Sequence, residues 1–130
     1  MANIYTEKVI EHYKSPKNRR TIKDADGVGE AGAPCGDFTT VFIKVKKKDG
    51  KEILSDVSFE TVGCIAAVAT ASLTTEMALG KTLEEAEKLN KDKILKDLGG
   101  LPPIKMHCSA LSTEALKNAI KNYREKAKNK

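Results

Sequence analysis

At 130 residues the chain has room for one hydrophobic core and not for two, so a single domain spanning residues 1–130 is expected. Its 40% hydrophobic and 32% charged residues describe a soluble globular protein, and no apolar run approaches the ~20 residues that a membrane span needs. The formal net charge is +5, but aromatics make up 5% with no Trp, and the lysines are spread apart from Lys46–Lys48 and the last ten residues. That pattern speaks for a solvated basic surface and against a nucleic-acid partner.

The first residues show no basic region followed by an apolar one, and Glu7 and Glu11 precede the first Arg at position 19. The expected location is the cytoplasm, where thiols stay reduced. Three cysteines and no Cys-x-x-Cys pair then point to metal binding or thiol chemistry rather than a disulfide framework.

Tyr5, Val9 and Tyr13, with Ile10 beside them, form one face of an opening helix that Asn3 or Thr6 would cap and Ser15-Pro16 would end. Residues 17–37, rich in Gly, Asp and Ala, read as a long irregular segment. From Phe38 the period becomes two, with Val41, Ile43 and Val45 alternating with Thr40, Phe42 and Lys44. Asp49-Gly50 is a hairpin-turn signal, and a second alternating run sets Val57, Phe59 and Thr61 on one side. Past Gly63 the stripe Ile65, Ala69, Leu73, Met77 predicts a helix that Gly80 stops. Thr82 and Glu85 form a capping box for a short helix to about Leu89. Ile94, Leu95 and Leu98 suggest another, closed by Gly99-Gly100. Pro102-Pro103 favours an extended segment, and Leu116, Ala119, Ile120 and Tyr123 mark the last helix. The expected class is α+β: a small antiparallel sheet of about three strands with helices on one face.

Cys35, Cys64 and Cys108 each fall at a joint between elements. Cys35 precedes Gly36-Asp37 where the first run begins. Cys64 follows Gly63 at a strand-to-helix junction, and Cys108 follows His107 where the extended segment enters the final helix. A helix N-terminus offers unsatisfied N–H groups and the positive end of the dipole, a setting that favours thiolate. Asp37, two residues after Cys35, would share its side of an extended chain. Three thiolates and a carboxylate, with His107 adjacent, are a plausible ligand set. The competing reading makes each cysteine a small buried hydrophobe and Asp37 and His107 turn or capping residues. The shared placement at element ends favours a metal or reactive-thiol site, without choosing the metal. A cysteine-nucleophile hydrolase would need a His base within reach of a thiol, and the two histidines are His12, on a helix face, and His107.

Three blocks resemble the IscU/NifU-type iron–sulfur cluster assembly scaffold proteins. They are Gly32-Ala33-Pro34-Cys35-Gly36-Asp37, Gly63-Cys64, and Leu101-Pro102-Pro103-Ile104-Lys105-Met106-His107-Cys108-Ser109. The stretches Tyr5–Tyr13 and Gly80–Ala86 are similar too, so the match is collinear over nearly the whole chain. The resemblance implies a non-enzymatic scaffold that assembles a labile [2Fe–2S] cluster from iron and sulfur delivered as persulfide by a cysteine desulfurase, and passes it to apo-proteins. It implies Cys35, Cys64 and Cys108 as cluster ligands, Asp37 as oxygen ligand or release residue, and His107 as an alternative ligand. Cys108, then Cys64, would accept sulfur. Leu101, Pro102, Pro103, Ile104 and Lys105 look like the family's docking motif for a dedicated Hsp70 and its J-protein partner. Whether one chain holds the cluster or a homodimer shares it stays open.

A scaffold must release what it binds, and replacing one soft thiolate by a hard carboxylate weakens the site in that direction. Zinc also accepts three Cys sulfurs and an Asp oxygen. Zinc in the apo form therefore fits, and a zinc-stabilised sulfur-acceptor protein is the alternative reading. Against the family pattern, Pro34 directly precedes Cys35 where one more residue is usual, Ile65-Ala66 follow Cys64 in place of Gly and Ser, and Ile104 replaces Val. The interval from Cys64 to Cys108 lacks the long insertion of the zinc-binding SufU-like branch.

Overall fold

The computed structural model describes residues 6–32, 36–100 and 108–128, with the backbone alone for Lys91, Cys108, Ser109 and Lys128. Cys35, His107 and the Leu101–Lys105 motif lie outside the described residues.

The Asp49-Gly50 signal forms the turn it announces. Both residues take positive φ, 53° and 79°, the signature of a two-residue type I′ connection whose twist suits paired strands. It joins β2 (Phe38–Lys48) to β3 (Lys51–Val62), which pair antiparallel from Lys48 opposite Lys51 to Phe38 opposite Val62. The register slips once: Lys44 faces Asp56 and Val45 faces Leu54, leaving Ser55 over as a bulge. Its hydroxyl donates to the Lys44 carbonyl at 3.2 Å. The bulge changes which parity faces inward, so Leu54 is buried together with Val57, Phe59 and Thr61. Strict alternation hides such a switch.

The irregular segment expected over 17–37 is in part wrong, because Gly27–Gly32 form a third strand, β1, antiparallel to β2 from Gly27 opposite Ile43 to Gly32 opposite Phe38. Its sequence, Gly-Val-Gly-Glu-Ala-Gly, carries little β-propensity. The final helix, α5 (Cys108–Lys128), explains why. A Cβ on Gly29 would run into the backbone of Ala115 and Ala119, and one on Gly27 into the Ala119 carbonyl. Backbone packs on backbone here, and only glycine leaves the room. The outward edge of β1 is closed by α5 as well. Asn122 Oδ1 accepts from Val28 N at 3.0 Å, and Asn118 Nδ2 donates to the Glu30 carbonyl at 2.9 Å. Two amides one helical turn apart thus occupy groups that a further strand would use.

Of the helices, α1 (Glu7–Lys14) is capped by Thr6, whose Oγ1 accepts from Val9 N and donates to the Leu98 carbonyl at 2.5 Å. Ser15, before Pro16, closes it. α2 (Ile65–Ala78) is buried on nearly every side. Val68, Ala71 and Ala78 join the sheet and α5 in one core, while Ala69 and Leu73 meet Val9, Ile94 and Leu98 in a second. A helix with apolar neighbours all round needs no amphipathic stripe, so the expected stripe named only part of its buried surface. Its hydroxyls are satisfied inside: Thr70 bonds back to Ala66, Thr74 to Thr70 and Ser112, and Ser72 meets both Lys17 N and His12 Nδ1 at 2.8 Å. The Thr82–Glu85 capping box is present at α3 (Leu83–Glu87). Asn90 caps α4 (Lys91–Leu98), which Gly99 ends at φ 82°. Among the described residues the result is an α+β fold, one three-stranded sheet in the order β1-β2-β3 with helices on its inner face. No helix among them is long and apolar enough to cross a membrane.

Candidate functional site

Three elements meet at one end of the sheet: β2 begins, β3 ends and α2 begins. The ladder closes with Phe38 opposite Val62, so the next residue outward on each strand is Asp37 on one side and Gly63 on the other. Cys64 follows as the N-cap of α2, extended at φ −77° and ψ 177°. Its carbonyl accepts the first helical bond from Val68 N at 3.2 Å. Its side chain makes no capping bond. Instead Cys64 Sγ donates to Asp37 Oδ2 at 3.4 Å.

Asp37 reaches this position through a sharp reversal. Gly36 sits at φ 98° with open space around it, so its glycine serves the backbone angle alone. Gly63 plays another part: a Cβ there would stand 2.9 Å from Asp37 Cγ and 2.9 Å from Ala67 Cβ. The carboxylate therefore lies against bare backbone, with Cys64 half-buried beside it. On the outer face of the sheet the cross-strand pair Phe38 and Val62 forms an apolar rim, Val62 being 73% exposed.

Of the residues singled out in the sequence, Asp37 and Cys64 are brought together. Cys108 is the first residue of α5, so two of the three cysteines open helices, as expected from their place at joints. Cys35 and His107 lie outside the described residues. Among those described, no three His, Cys, Asp or Glu side chains converge on one point. His12 lies on α1, as expected, and its ring nitrogen Nδ1 meets Ser72 Oγ. Sequence reasoning named Gly63 only as the residue before Cys64 and missed its place against Asp37.

A soft sulfur donor and a hard oxygen donor thus lie side by side at the mouth of a helix and the rim of a small α+β sheet, a pairing of two donor types that metal ions use. The chain belongs to the NifU-like N-terminal domain family, whose model matches residues 4–130. It is 51% identical over 121 residues to "Iron-sulfur cluster assembly scaffold protein IscU 1" of Archaeoglobus fulgidus, covering 92% of this chain and 76% of that one. It is 44% identical over 126 residues to the scaffold protein IscU of Azotobacter vinelandii, covering 94% and 95%. Among solved structures, a NifU-like N-terminal protein from Brucella abortus superposes with a TM-score of 0.72 at 21% identity, over 95% of this chain and 96% of that one. That likeness concerns the fold.

Proposed function

We propose that this protein is a scaffold on which an iron–sulfur cluster is assembled and from which it is passed to apo-proteins. The cluster is cargo. The observation that carries the reading is the Asp37 carboxylate at 3.4 Å from Cys64 Sγ. An electron-transfer protein is served by four thiolates in a closed site, whereas a carboxylate at the same centre gives a weaker, exchangeable position.

In this reading Cys35, Cys64 and Cys108 supply thiolates to a [2Fe–2S] cluster, and Asp37 supplies an oxygen ligand or promotes release, with His107 as alternative ligand. Cys108, and secondarily Cys64, takes sulfur from the persulfide of a cysteine desulfurase: the thiolate attacks the outer sulfur, and the donor's thiolate leaves. Leu101, Pro102, Pro103, Ile104 and Lys105 form the segment that an Hsp70-type chaperone would grip. Support comes from membership in the family and from relatives whose names carry the scaffold role.

The test is anaerobic incubation with ferrous iron and sulfide, followed by a visible spectrum and metal and sulfide counts per chain. Charge-transfer bands with equal iron and sulfide are expected. A colourless protein that keeps tight zinc would transfer the assignment to a sulfur-acceptor role.

A further inference from the structure

Gly63 is an unusual glycine for a junction, because its backbone does not require one. Five other glycines, Gly36, Gly50, Gly80, Gly99 and Gly100, take positive φ; Gly63 is not among them. A side chain is excluded there by what surrounds the position. A Cβ would lie 2.9 Å from Asp37 Cγ, 3.1 Å from Asp37 Oδ1 and 2.9 Å from Ala67 Cβ. The missing side chain is thus the seat on which the Asp37 carboxylate rests while its other oxygen, Oδ2, accepts from Cys64 Sγ. Gly36 and Gly63 divide the work: the first turns the chain so that Asp37 points at the junction, and the second leaves space for the carboxylate to arrive.

We infer that Gly63 is a positioning residue for Asp37, and that through it Gly63 sets how readily the site gives up its cargo. Gly63 touches neither cargo nor partner in this account. A methyl group at position 63 expels the carboxylate from beside Cys64 and leaves the Cys64 thiol in place. The site then behaves as if Asp37 were absent, holding a loaded cluster longer and passing it on more slowly. The backbone angle at position 63 tolerates alanine, and the substitution lowers the entropy of the unfolded chain, which offsets part of the cost of the 2.9 Å approach to Ala67 Cβ.

Two measurements test this. In the apo-protein, nuclear Overhauser contacts between the Asp37 β protons and the Cys64 β protons are expected in the wild type and lost in Gly63→Ala, while contacts across β2–β3 persist. After anaerobic loading, cluster lifetime and transfer rate are compared in the wild type, Gly63→Ala, Asp37→Ala and the double variant. Gly63→Ala should slow transfer severalfold, and the double variant should match Asp37→Ala alone, since the two act through one group. Persisting Asp37–Cys64 contacts in Gly63→Ala would overturn the inference. So would transfer at the wild-type rate, or full additivity with Asp37→Ala. If Gly63→Ala folds poorly, Gly63→Ala/Ala67→Gly removes the second clash and keeps the one with Asp37, with Ala67→Gly as its control. The transfer arm rests on the scaffold reading; the contact arm does not. A wild type that takes up no iron and sulfide would sink that reading and leave the positioning to be decided by the proton contacts.

Discussion

A thiol and a carboxylate 3.4 Å apart would be ill-matched metal ligands, and the proposed scaffold role draws on that mismatch. The Cys64 side chain makes no capping bond for α2. Cys64→Ala should therefore leave the apo fold intact by circular dichroism while abolishing the charge-transfer bands after loading; bands of wild-type intensity would remove Cys64 from the ligand set. Tyr123, far along the chain, gives a residue-scale prediction of another kind. Its hydroxyl donates to Glu52 Oε2, and that bond, with burial and the Glu52 and Asp26 charges behind it, raises its pKa from 10.0 to about 12. A raised pKa means that folding favours the neutral phenol. The contribution to stability is full below pH 10 and is lost as pH rises toward 12. An absorbance titration should show one tyrosine ionising last, and Tyr123→Phe should remove that step. The cysteine at the helix mouth was legible because a glycine and a cysteine directly follow an alternating run. The seat at Gly63 was not, since nothing in a sequence says which carboxylate will lie against a given glycine.

At the scale of elements, β1 is held by its glycines. Gly29→Ala puts a methyl group into the α5 backbone at Ala115 and Ala119, where no rotamer can yield. The expected cost is about 3 kcal/mol or more, read by urea denaturation; a change under about 1 kcal/mol, the size of an ordinary surface substitution, would contradict the close packing. The same glycines made the strand unreadable, because β-propensity measures side chains that fit a pleated surface and β1 has few. The β2–β3 hairpin was readable from Asp49-Gly50 and from alternation, but the bulge at Ser55 was not: one extra residue leaves no compositional mark. Helix ends were the most legible feature. Thr6, Thr82 and Gly99 act as the expected caps and stop through short-range bonds that local sequence determines, and Asn90, not singled out in the sequence, caps α4 in the same way. The burial of α2 on nearly all sides depends on where α1, α4 and α5 lie, and no local pattern encodes that.

For the whole molecule, the consequence is a separation of tasks. α2 is the central strut, with the sheet and α5 against one side and Val9, Ile94 and Leu98 against the other. The site sits where that strut begins. The lysine-rich tip, Lys46–Lys48 and Lys51, lies at the opposite end of the β2–β3 hairpin from Asp37, so this basic charge is kept away from Asp37 and Cys64. The proposed ligands come from distant segments of the chain, and loading should therefore tighten the domain while release loosens it. In the proposed role the site binds in order to let go. The measurement that tests it most directly is to load the protein anaerobically with iron and sulfide, mix it with an apo-ferredoxin, and follow the spectrum of each partner. Loss of bands from this protein should match their gain in the acceptor, and Asp37→Ala should slow the exchange. A cluster that stays in place through that mixing, or one that Asp37→Ala releases at the wild-type rate, would contradict the account.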